Sequence, residues 1–226
     1  MTAAIDIERA AAAAGFHVQM PDGYEQKLVE RLKRRDEAAF NELITMYQGR
    51  IFRLVYRMLG DRAEAEDLAQ EVFVTVFKSI DGFRGDSKLS TWLYRVATNH
   101  CKNRIKYLQR RARGKKKEFD EIAEAGAIES ATMNPSSRIA RPDHIVEGYQ
   151  KENILREAIA SLDEDHRTLI VLRDIENLTY DQIMEVTGLA EGTVKSRLHR
   201  ARNALREKVM RLEGRRSSVP SPKTKK

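Results

Sequence analysis

The sequence predicts an all-α protein of two small helical domains joined by a flexible charged linker, the second containing a helix-turn-helix. Three observations carry that prediction. Apolar residues recur at helical spacing through most of the chain. A cationic run, an acidic run and two proline-containing stretches, Asn134-Pro135 and Arg141-Pro142, interrupt that pattern midway. Beyond them Thr179-Tyr180-Asp181-Gln182, a T-x-x-Q capping box, opens a short helix, which Gly188 and a brief turn separate from a longer one.

Residues 1–23 hold the alanine run Ala10–Ala14, then Gly15, Pro21 and Gly23, with too little apolar bulk to pack firmly; they read as a mobile N-terminal extension. From Tyr24, Leu28, Val29 and Leu32 share one helical face. Asp36 is placed to cap a second helix carrying Phe40, Leu43, Ile44 and Tyr47, and a third stretch with Ile51, Leu54, Val55 and Met58 stops at Gly60. Asp61-Arg62-Ala63-Glu64 has the D-x-x-E form of a capping box and opens a helix to Ile80, with Leu68, Val72, Phe73, Val76, Phe77 and Ile80 at helical spacing. A polar loop, Asp81–Lys88, holds two glycines and Phe83, and Ser90 or Thr91 is expected to cap the next helix.

That next helix has two faces. Leu93, Val96, Ala97, Cys101, Ile105 and Leu108 form an apolar stripe expected in the core. Trp92, Arg95, Asn99, Lys102 and Lys106 lie opposite. An aromatic followed by cations and an amide suits single-stranded nucleic acid, whose bases stack while its phosphates follow the cations. The same pattern also describes a tryptophan that caps a core beside a solvated basic face, and spacing does not choose between the two. The first domain spans residues 24–108.

Residues 109–145 read as the linker: Arg110, Arg111, Arg113 and Lys115–Lys117, then Glu118, Asp120, Glu121, Glu124 and Glu129. The second domain spans 146–213. Ile154, Leu155, Ala158, Ile159 and Leu162 make an apolar face, and Asp163 caps a helix containing Leu169–Leu172. In the last helix, from Glu191 to about Leu212, Val194, Leu198, Ala201, Leu205 and Val209 form the buried seam. Ser196, His199, Arg200 and Asn203 point away, with Thr193, Lys195 and Arg197 on the flanks. Recognition helices place their N-terminal residues in the major groove, where Lys and Arg bond guanine and Ser or His meets a base edge or phosphate. The tail, 214–226, is rich in Ser, Pro and Lys and is expected to be a disordered basic tail.

The 226 residues carry a net charge of +7, which favours a polyanionic partner. The single cysteine, Cys101, precludes an internal disulfide and suits a reducing, cytoplasmic setting. No apolar run reaches the about 20 residues that span a bilayer, and the N-terminus lacks the order of a secretory signal. His17, His100, His144, His166 and His199 are scattered without metal-ligand spacing, and no phosphate-cradling loop is present. No metal, cofactor or enzymatic activity is expected.

D-L-A-Q-E-V-F (Asp67–Phe73), F-R-G-D-S (Phe83–Ser87) and T-W-L-Y-R-V-A-T-N (Thr91–Asn99) resemble the second conserved region of bacterial RNA polymerase sigma factors of the extracytoplasmic-function group. Ala160–Asp174, L-T-Y-D-Q-I (Leu178–Ile183) and E-G-T-V-K-S-R-L-H-R-A-R (Glu191–Arg202) resemble the fourth. Only the linker separates the two, as in that group. The resemblance implies a sigma factor that binds core polymerase and directs initiation at promoters. Asp67, Gln70 and Glu71 would face the coiled coil of the β′ subunit, with Leu68 and Phe73 anchoring fold or interface. Asn99 and Phe83 match positions that take an extruded base of the −10 element, with Trp92, Arg95 and Lys102 on the same face. Thr193, Lys195, Ser196, His199 and Arg200 would read the −35 duplex. An anti-sigma factor is an expected partner. The competing reading is a free-standing helix-turn-helix regulator, which needs neither a docking helix nor a single-strand face.

Overall fold

The computed structural model describes residues 23–123 and 143–217, with side chains over 23–111 and 152–214. Among these residues the fold is helical without strands. The N-terminal half contains α1 (Tyr24–Lys33), α2 (Glu37–Leu59), α3 (Arg62–Ser79), a 3₁₀ turn at Ile80–Gly82, and α4 (Leu89–Ala123). The C-terminal half contains α5 (Asp143–Ala160), α6 (Glu164–Ile170), a π turn at Val171–Ile175, α7 (Tyr180–Thr187) and α8 (Glu191–Ser217).

Local chemistry explains most boundaries. Asp36 caps α2 by accepting from the Ala38 and Ala39 amides at 2.9 and 3.2 Å. The two stretches expected on either side of Gly49 are one helix, because a lone glycine costs only about 1 kcal/mol and Tyr47 and Ile51 are buried on each side of it. Gly60 ends α2 at φ 80°, a left-handed conformation that glycine adopts without steric penalty. Asp61 caps α3 through the Glu64 amide at 2.9 Å, but Glu64 turns to Arg104 instead of closing the box. The cap of α4 comes from elsewhere in the chain. Glu25 of α1 accepts from the Leu89 amide at 2.6 Å, so α4 starts before Ser90 and Thr91, and neither is its cap.

Helix α4 also continues past Leu108 to Ala123, through the first part of the segment expected as linker. Its Arg, Lys, Ala and Glu residues are good helix formers and no proline intervenes, so the charge run propagates helix here. Helix α8 likewise runs to Ser217, into the expected tail. Residues 1–22, 124–142 and 218–226, which hold most of the expected extension, much of the linker and most of the tail, lie outside the described residues.

In the N-terminal half α2, α3 and α4 pack on one another around Leu43, Ile51, Leu54, Leu68, Val72 and Leu93. In the C-terminal half the five consecutive residues Thr168–Leu172 are buried, so the last turn of α6 has no solvent side where it widens into the π turn. The halves also meet. α7 and α6 pack on α4, α5 packs on α2, and one apolar cluster runs continuously through both.

Candidate functional site

Three exposed faces stand on this frame. The first lies on α3, where Asp67, Gln70, Glu71, Val74 and Phe77 follow the 3–4 residue spacing of one helical face, all exposed. Val74 and Phe77 are large apolar residues left 52% and 45% exposed. Leu68, 1% exposed, belongs to the core, and Phe73 is half-buried against it. The face is held rigidly. Phe77 packs against Phe40 with ring centroids 4.5 Å apart, and the Arg35 guanidinium lies over its ring and donates to its carbonyl. On the other flank Arg104 of α4 donates to Glu64 at 2.8 Å and to Glu71 at 2.6 Å.

The second face is on α4 and its preceding loop. Phe83 and Trp92 are both buried and pack tilted against each other, ring centroids 5.4 Å apart. Trp92 therefore caps the core and offers no open ring for stacking; of the two readings its spacing allowed, the structure takes the core one. Arg95 and Asn99 are exposed one turn apart, and Lys106 and Tyr107 are exposed further on. Lys102 is half-buried, its Nζ 3.6 Å from Asp165 of α6. Cys101 is buried among apolar side chains, and that burial pushes its thiol up to about 12. Thr91, Tyr94 and Thr98, which the apolar period does not mark, line up with Lys102 as a second, polar stripe on α4. The Tyr94 hydroxyl donates to Glu176 at 3.0 Å, and Gln182 donates to Thr91 at 3.4 Å. Both partners belong to the C-terminal half.

The third face is the helix-turn-helix. The Gln182 amide donates to Thr179 Oγ1 at 3.2 Å and the Thr179 amide donates to Gln182 Oε1 at 2.9 Å, a complete capping box. Gly188 closes α7 at φ 71°. Val194, Leu198 and Ala201 bury one side of α8, while Leu205 and Val209 are half-buried. Lys195, Ser196, His199 and Arg200 are exposed and Thr193 is half-buried. Lys195 pairs with Glu191 at 2.6 Å, and the hydrogen bond to that carboxylate raises its ammonium above the ordinary lysine value. Arg197 turns inward to Asp165 at 3.1 Å, and Arg202 to Asp174 at 3.0 Å. His199 and Asn203 lie 3.2 Å apart across one helical turn.

Among the described residues no group of His, Cys, Asp and Glu is placed to hold a metal ion, and no helix is long and apolar enough to cross a membrane.

Comparison with known proteins covers both halves. Residues 43–111 match the family Sigma-70 region 2, and residues 152–205 match Sigma-70, region 4. The chain is 38% identical over 187 residues to the ECF RNA polymerase sigma factor SigW of Bacillus subtilis, spanning 81% of this chain and 96% of that protein. It is 36% identical over 188 residues to the ECF RNA polymerase sigma-E factor of Escherichia coli, spanning 83% and 95%. Among solved structures, CnrH in complex with the cytosolic domain of CnrY shares the fold at a TM-score of 0.55 and 20% identity, over 81% of this chain and 95% of that one. The sigma factor RpoE in complex with the anti-sigma factor NepR, from Bartonella quintana, shares it at 0.51 and 24%, over 76% and 96%. With a helix-turn-helix and both sigma-70 regions in order, the chain belongs to the extracytoplasmic-function sigma factors of RNA polymerase, which are transcription initiation factors and not enzymes.

Proposed function

We propose that the three faces divide the labour of promoter recognition. The α3 face, Asp67, Gln70, Glu71, Val74 and Phe77, docks on the coiled coil of the polymerase β′ subunit. Its exposed apolar pair supplies the desolvated centre that interfaces use, and its acids and amide form the polar rim. The α4 face takes the −10 element as single strand. Asn99 reads the edge of an extruded base, Arg95 and Lys102 follow the phosphates, and the Phe83–Trp92 pair forms the rigid wall beside them. Extruding a base costs a few kcal/mol, so a preformed wall matters more than a flexible one. The α8 face reads the −35 duplex through Lys195, Ser196, His199 and Arg200, with Thr193 at its edge. The chain works in the cytoplasm, beside its polymerase and DNA, and is restrained by an anti-sigma factor that covers these faces.

The observation that carries the reading is the exposed apolar pair on α3. A regulator acting on duplex DNA alone has no use for Val74 and Phe77 in water. The test is transcription by bacterial core polymerase on fragmented genomic DNA of the source organism, with transcript starts mapped. Starts that depend on this protein and share two upstream elements support the reading. Specific binding of duplex by the protein alone, with no new starts, would replace it with the free-standing regulator.

A further inference from the structure

We infer that Arg35 is a positioning residue for polymerase docking: it fixes the Phe77 ring at the surface, so that the α3 face meets its partner already formed. The inference rests on the assignment of that face to polymerase.

The backbone at Arg35 carries the first observation. Helix α1 ends in a Schellman motif. The Arg35 amide donates to the Leu32 carbonyl at 3.0 Å, and the Asp36 amide to the Arg31 carbonyl at 3.1 Å. The motif needs a left-handed residue, and Arg35 stands there at φ 61°. Helices α2 and α7 also end on left-handed residues, and there both are glycine, at φ 80° and 71°. Glycine adopts this conformation freely, whereas an arginine crowds its Cβ against the backbone. Such strain persists where the surroundings over-determine it, and it gathers at working sites. Backbone geometry alone favours glycine at this position, so the reason for an arginine lies in its side chain.

That side chain reaches across to the end of α3. Its guanidinium carbon lies 5.0 Å from the centre of the Phe77 ring. One terminal nitrogen donates to the Phe77 carbonyl, and the other pairs with Asp81 at 2.5 Å. The ion pair is no sufficient reason for the residue, since Asp81 is 61% exposed and such pairs add little. What the two bonds do is fix the plane of the fork over the ring, which an ammonium group does not reproduce. Phe40, at the start of α2, packs against the same ring. Phe77 is therefore held by two elements outside its own helix while it remains open to a partner. An aromatic side chain free to turn at the surface must be ordered on binding, at a cost of about two- to tenfold in affinity. Arg35 removes that cost before the partner arrives.

The test is a double-mutant cycle on the full chain, read by competition titration with core polymerase. Arg35→Gly should bind about two- to tenfold more weakly than the parent. Its melting temperature should fall no lower, because the relieved strain offsets the lost contacts. Arg35→Lys keeps the charge and the strain but loses the fork, and should bind as weakly as Arg35→Gly. In a Phe77→Ala background Arg35→Gly should change binding no further. Ring ¹³C relaxation at Phe77 should report a fixed side chain in the parent and a mobile one in Arg35→Gly, a difference that a merely structural tie does not predict. Parent-like binding by Arg35→Gly or by Arg35→Lys overturns the positioning role. So does an equal loss with and without Phe77, whatever the melting temperature, since Arg35 would then act on its own account. Parent-like binding by Phe77→Ala itself removes the docking role of that ring, and the inference with it.

Discussion

Arg167 shows how much one side chain carries here. It fills three carbonyls at the ends of two helices, and burial, the main influence, pulls its guanidinium below the ordinary arginine value. Arg167→Ala would leave those carbonyls without their donor, so a loss of about 2–3 kcal/mol in urea unfolding is expected. Glu176 gives a different signature. Burial raises its carboxyl above the ordinary glutamate value, against the lowering effects of the Tyr94 hydrogen bond and of Arg53, Arg57 and Arg50. The unfolded chain releases this proton at about pH 4.3, the folded chain only at higher pH. The stability Glu176 contributes is therefore fully present below that value and is lost as pH rises through its raised value. Glu176→Gln should flatten this part of the profile, with its melting temperature gaining on the parent's between pH 4.5 and 7 in a thermal-unfolding series. Neither residue was legible as a fastening in the sequence. A lone Arg or Glu inside a helical pattern looks like solvated charge until the partner half is placed.

At the scale of elements, caps and faces were the legible part. Asp36, Asp61, Asp163 and Thr179 each accept the amide their spacing assigned to them. Thr179→Ala should cost about 1 kcal/mol in chemical denaturation, since it opens the capping box of α7. The outward set of α8 was legible for the same reason: buried and exposed residues of one helix follow from its period alone. Trp92 was not, because an aromatic at the border of two faces fits either, and only the ring of Phe83 decides it. Nor did the period end α4 at the right place, since charged residues that are good helix formers continue a helix without an apolar repeat. On α3 the period offered Phe77 to the core, yet the ring is left at the surface with Arg35 over it. Val74→Asp places a charge at the centre of that face and leaves the core untouched. A loss of about 1–2 kcal/mol in core-polymerase binding is expected, with thermal stability unchanged, as checked by a competition titration.

At the scale of the whole molecule, two halves joined by a charged segment share one continuous apolar cluster. Leu54, fully buried in the N-terminal half, makes the test. Leu54→Ala should cost about 2–5 kcal/mol, and calorimetry should show a single transition moved downward for both halves; two separated transitions would show that they melt independently. The helical class and the order of the halves were legible from periodicity and motif strings, but their mutual packing was not, because contacts such as Arg167 to Met58 join residues far apart in the chain and leave no local pattern. The Glu25 carboxylate on the Leu89 amide has a practical consequence of the same kind. The match to Sigma-70 region 2 begins at residue 43. A fragment cut there for separate expression would lack the carboxylate that starts α4, along with Leu28 and Leu32, which are buried in the core. Its helix would fray at the end nearest Trp92, whereas a fragment begun at residue 23 keeps that end intact. The folding unit is longer than the conserved stretch that identifies it.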